Sequence, residues 1–107
     1  MNVPGQTSYS NTNGTISVSY GQFDDTWDHA RFIALHEFGH QVAFRHGAGR
    51  YLGDPPAGFP YRGVKPEEVW GECFATALTG VVWPSYGYPA CDSTSLRWTR
   101  QWIDRWR

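Results

Sequence analysis

Two histidines four residues apart, with a glutamate directly behind the first, constrain this chain more than anything else in it: His36-Glu37-Phe38-Gly39-His40. A helical repeat brings positions i and i+4 to one face, so both imidazoles reach a single metal ion if this stretch is helix. Glu37 then falls on the flank of that face, where its carboxylate reaches a water beside the metal. Those three side chains make half of a zinc hydrolase site. The neighbouring residues fit a buried helix. Ile33, Ala34, Leu35, Phe38, Gly39, Gln41 and Val42 carry no charge, and a charge there would be costly to desolvate. A surface helix with two solvated histidines would place charges between them.

The local signals around the motif divide the rest of the chain. Asp24 or Asp25 can cap a helix running from about Thr26 to His46, stopped by Gly47. A loop rich in Gly, Pro and Tyr follows to Gly63. Pro66, suited to a first helical turn, opens a second helix that ends at Gly80, and Glu67 and Glu68 in its first turn complement the helix dipole. Trp83 to Pro89 reads as irregular. A third helix starts at Ser93 or Ser95 and carries Trp98, Trp102 and Trp106 at four-residue spacing. Upstream, residues 1–14 are polar and expected to be loosely held, with a turn at Asn13-Gly14. The alternation in Thr15-Ile16-Ser17-Val18-Ser19-Tyr20 predicts a strand, half exposed and suited to a sheet edge. The expected class is therefore α+β: a short antiparallel sheet or edge strand packed on the HExxH helix, a Glu-bearing second helix and a C-terminal helix, all in one domain.

Composition excludes several alternatives. A net charge of −1 over 107 residues points to neither nucleic acid nor an anionic membrane. No apolar run approaches the ~20 residues needed to span a bilayer. The opening Met1-Asn2-Val3-Pro4-Gly5 has no basic start and no apolar stretch of signal-peptide type, which leaves an intracellular protein or a mature extracytoplasmic domain. The polar, abrupt opening makes the second the expectation; Cys73 and Cys91, if not two buried free thiols, form one disulfide between the second helix and the segment after the Pro-rich turn, which goes with such a home. A loop of that length is worth about 3 kcal/mol in the chain-entropy model.

The identity of a third metal ligand decides the kind of site. Apart from Glu37, the glutamates are Glu67, Glu68 and Glu72, all in the second helix. At about 100° per residue, Glu68, Gly71, Glu72 and Ala75 share one side, while Trp70, Cys73, Phe74 and Ala77 share the other. Small residues on the Glu68 side let two helices approach closely enough for a short carboxylate to reach a metal. Glu72, one turn further on, is placed to accept a hydrogen bond from the outer nitrogen of a ligating histidine. The rival ligand is His46.

Taken together, these motifs resemble those of the gluzincin zinc metallopeptidases in their minimal form. That family pairs HExxH on one helix with Glu-x-x-(small)-(Asp/Asn)-x-x-Ala on a later one. Here the second motif reads Glu68-Val69-Trp70-Gly71-Glu72-Cys73-Phe74-Ala75. The resemblance covers about residues 15–80. It implies a metallopeptidase-like domain, Zn2+ as cofactor, His36, His40 and Glu68 as ligands and Glu37 as general base. Glu72 stands where the family has Asp or Asn. The spacing from His36 through His40 to His46 is also similar to the metzincin motif. That family, however, has glycine where this chain has Ala43, and a methionine turn, whereas the only methionine here is Met1.

The expected activity is hydrolysis of peptide bonds through a metal-activated water with Glu37 as general base, on a peptide or protein substrate bound by strand addition along Thr15–Tyr20. Tyr51, Tyr61, Arg62 and His46 are open candidates for stabilising the oxyanion. Two further functions stand beside it. One is a non-catalytic module that keeps zinc for stability, against which an intact Glu37 argues. The other is a binding domain using the arginines interleaved with tryptophans on the last helix. Packing of that tryptophan stripe on the core, with the arginines in water, is the simpler expectation.

Overall fold

A computed structural model of the chain describes residues 9–10, 16–17, 27–82 and 89–106. Five elements follow in order: β1 (Tyr9–Ser10), β2 (Ile16–Ser17), α1 (Trp27–Arg45), α2 (Pro66–Thr79) and α3 (Ser93–Trp106). The three helices carry the fold, which is all-α and corrects the α+β expectation. The only β structure among the described residues is a ladder of two residues a side, with Tyr9 opposite Ser17 and Ser10 opposite Ile16. So short a pairing forms no layer, since independent β structure needs three or more strands or a broad apolar face. The rest of the expected strand (Thr15 and residues 18–20), the Asn13-Gly14 turn and the Asp24/Asp25 cap lie outside the described residues.

Each helix end has a local cause. α1 stops where Gly47 takes a left-handed φ of 68°. The Ala48 amide then donates to Ala43 O (2.9 Å) and the Gly47 amide to Phe44 O (3.0 Å), closing the last turn as a Schellman motif. α2 opens at Pro66, behind Lys65 in a left-handed conformation, and closes at Gly80, whose amide donates to Thr76 O. α3 is capped one residue before its expected start: the Ser95 amide donates to Asp92 Oδ1 at 2.7 Å.

The core lies where α2 crosses both of its partners. Val69, Trp70, Cys73, Phe74 and Ala75 are buried on α2, Phe32, Ile33 and Ala43 on α1, and Phe59 reaches in from the connecting loop. The tryptophans of α3 pack on this centre. Trp98 and Trp106 make edge-on contacts with Trp70, at 6.4 and 6.1 Å between ring centroids. Arg97, Arg100 and Arg105 stay exposed, and Arg105 lies over the Trp102 ring. A disulfide between Cys73 and Cys91 ties α2 to the segment leading into α3. Among the described residues, no helix is long and apolar enough to cross a membrane.

Candidate metal centre

The approach of α1 to α2 builds the site, and glycine on each helix permits it. A Cβ on Gly71 would sit 2.7–2.8 Å from three atoms of the His36 ring, and a Cβ on Gly39 would sit 2.8 Å from Phe74 Cβ. Neither is sterically possible without movement, so the two backbones meet closer than any larger residue allows. That closeness brings the His36 imidazole into reach of two carboxylates from α2.

His36 lies between them. Its Nε2 donates to Glu68 Oε1 at 2.8 Å and its Nδ1 to Glu72 Oε2 at 2.7 Å. His40 Nε2 is 3.8 Å from the same Glu68 oxygen, and Glu37 Oε2 is 4.0 Å from His36 Nε2. One donor atom each from His36, His40 and Glu68 falls within 4.8 Å of the others. His36, Glu37, His40 and Glu72 are all buried, whereas the Glu68 side chain remains 34% exposed. Solvent therefore meets the cluster on the Glu68 side.

The electrostatics follow from this crowding. Burial alone pushes the His36 imidazole down. Hydrogen bonds to Glu68 and Glu72, helped by the charges of Glu37 and Glu72, outweigh burial and raise it to about 9. The hydrogen bond from His36, with the His40 ring close by, holds the Glu68 carboxyl well below the usual range, with burial acting the other way. Three carboxylates thus gather around two imidazoles in a largely dry place, where excess negative charge is expensive unless a cation balances it. Once a metal displaces the Nε2 proton of His36, two imidazole nitrogens and a carboxylate oxygen form a donor set that suits zinc. His40 Nδ1 is buried with no hydrogen-bond partner among the described residues.

Of the expected site residues, the structure brings together His36, Glu37, His40, Glu68 and Glu72. It does not bring in His46. That residue sits just beyond α1, exposed, with its ring stacked on Trp106 at 4.7 Å and 9° between planes. α1 continues as helix to Arg45, which carries His46 more than a turn beyond His40 and outside the group formed by His36, His40 and Glu68. Tyr51 is exposed beside Arg50. Tyr61 and Arg62 line a pocket of about 350 Å³ with Pro55, Pro56, Phe59 and Pro66. Pro66 is one turn before Trp70, so this pocket belongs to the side of α2 away from Glu68. One contact had no counterpart in the sequence pattern: the indole N–H of Trp70 donates to Gly39 O at 3.0 Å.

Compared with models of known families, with characterised proteins and with solved structures, the chain finds no match in any of the three.

Proposed function

We propose that the chain is a small zinc-dependent metallopeptidase of gluzincin type, with His36, His40 and Glu68 holding the ion and Glu37 acting as general base. The observation that carries this reading is the convergence of the three donor atoms within 4.8 Å, with the Glu37 carboxylate alongside. Zinc bound there supplies Lewis acidity, which acidifies water and polarises a carbonyl. The remaining work falls to the chain. Glu37 Oε2 takes the proton of the attacking water and passes it to the departing amide nitrogen. Glu72 accepts the Nδ1–H of His36, which fixes the ring and directs Nε2 at the donor cluster. Burial of both histidines keeps competing water away from their nitrogens, while the half-exposed Glu68 leaves one approach open to a peptide. The Cys73–Cys91 disulfide supports an extracytoplasmic home for this activity.

Zinc content and peptide cleavage, measured for the native protein and for Glu37→Ala, test the proposal. Both proteins should bind one zinc, and the variant should lose about 10²–10⁴-fold in kcat. Cleavage by both, or by neither, would overturn it. The second of those results, with zinc retained, would favour a zinc-stabilised interaction module.

A further inference from the structure

Trp70 is the largest fully buried side chain in the described part of the protein, and it does more than fill the core. It stands on α2 between Glu68 and Glu72, the two residues that hold His36, yet its ring points to the other side, into Phe59, Phe74, Trp98 and Trp106. Its single polar atom reaches across to α1: Nε1–H donates to the carbonyl of Gly39 at 3.0 Å. A carbonyl has two lone pairs, so this one can take a side-chain donor beside its helical bond. A buried indole N–H also needs an acceptor, so the bond is costly to break.

The position of the acceptor gives the bond its meaning. Gly39 lies three residues after His36 and directly before His40. It is gripped twice by α2: its carbonyl by the Trp70 indole, and its Cα by the Phe74 ring, which leaves no room for a Cβ. On the other flank of the same helix pair, Gly71 closes on the His36 ring. Two grips on one residue fix the register of α1 along α2, and that register sets where His36 and His40 stand relative to Glu68. A slide between the helices would move both imidazoles together, and a metal tolerates only about ±0.2 Å in its ligand distances.

We infer that Trp70 is a positioning residue for the metal centre: its indole N–H, bonded to the Gly39 carbonyl, locks the HExxH helix in the register that lets Glu68 share an ion with His36 and His40. This rests on the proposed zinc site. Through Trp70, the aromatic cluster of α3 is coupled to the opposite face of α2, where the chemistry sits.

The test compares Trp70→Phe with Trp98→Phe, which removes a tryptophan from the same cluster while leaving the Trp70–Gly39 bond in place. Zinc affinity is read by chelator competition, and the arrangement of the donor atoms by the absorption spectrum of the cobalt(II)-loaded protein. Trp70→Phe should weaken zinc binding about 10–100-fold, as expected for a group that orients ligands without touching the metal, and should alter the cobalt spectrum. Trp98→Phe should leave both as in the native protein while lowering the melting temperature. If Trp70→Phe fails to fold, replacing the indole by benzothiophene through semisynthesis keeps the bicyclic shape and removes only the N–H. The same loss of affinity is expected. Native affinity and spectrum in the Trp70 variant, or an equal loss in the Trp98 variant, would overturn the inference alone. A native protein that binds no zinc would overturn it together with the proposed function.

Discussion

Gly71→Ala separates the geometry of the site from the stability of the helix that carries it, because the two effects run in opposite directions. Alanine is the better helix former by roughly 0.5–1 kcal/mol, so α2 by itself gains. The added methyl, however, would stand 2.7 Å from His36 Nε2 and Cδ2 and 2.8 Å from Cε1, short of the 3.4 Å at which ordinary contact begins by 0.7 Å. The His36 ring has little room to yield, since Glu72 and Glu68 hold it at 2.7 and 2.8 Å from either side. Either the ring or the whole of α1 must move, and overpacking of this kind costs about 1–3 kcal/mol. Net destabilisation of the metal-free protein should therefore be modest, about 0–2.5 kcal/mol once the propensity gain is set against the clash. The effect on zinc should be large. A ring displaced by several tenths of an ångström falls outside the tolerance of a metal–nitrogen bond, so affinity should fall by about two orders of magnitude or more, as when ligand orientation is lost. Thermal unfolding with and without zinc reads both quantities: the native protein should gain melting temperature on zinc addition, and Gly71→Ala should gain little. A variant that binds zinc with native affinity would refute the reasoning, because the His36 ring would then not be pressed against position 71.

Glu68→Ala should abolish stoichiometric zinc binding, while His46→Ala keeps it, since His46 stacks on Trp106 outside the cluster; metal analysis of the purified variants decides. The metal-free protein should have a pH-dependent stability set by the His36–Glu68 pair. His36 is raised from 6.5 to about 9, so its contribution is complete below 6.5 and is lost as pH rises towards 9. Glu68 is depressed from 4.5, so its contribution is complete above 4.5 and is lost as pH falls below it. Denaturant midpoints of the metal-free protein should therefore be highest between these limits, and His36→Ala should flatten the alkaline limb. An unchanged alkaline limb would show that His36 is not held by its two carboxylates. Reducing the Cys73–Cys91 bridge, which spans 18 residues, should lower stability by about 3 kcal/mol in the chain-entropy model, read as a drop in denaturant midpoint against the Cys73→Ala/Cys91→Ala protein, which should be insensitive to reductant.

The sequence by itself determined what depends on near neighbours. Pro66, Gly80 and Gly47 mark helix ends through backbone chemistry that acts within a few residues, and α2 begins and ends where they place it. The facing of His36 with His40, and of Glu68 with Gly71 and Glu72, follows from helical periodicity alone. What lay beyond reach was every choice between distant partners. The alternation in Thr15–Tyr20 predicts a strand, but periodicity does not say whether a strand joins a layer, and among the described residues only Ile16–Ser17 pairs, with Tyr9–Ser10. His46 and Glu68 were rivals on spacing; where each lies depends on the crossing of α2 over α1, which brings Glu68 to both imidazoles and leaves His46 against Trp106. The bond from Trp70 to Gly39 joins residues 31 apart in the chain. Propensity and periodicity act along the chain, whereas a hydrogen bond between two helices exists only once packing has set their distance and register.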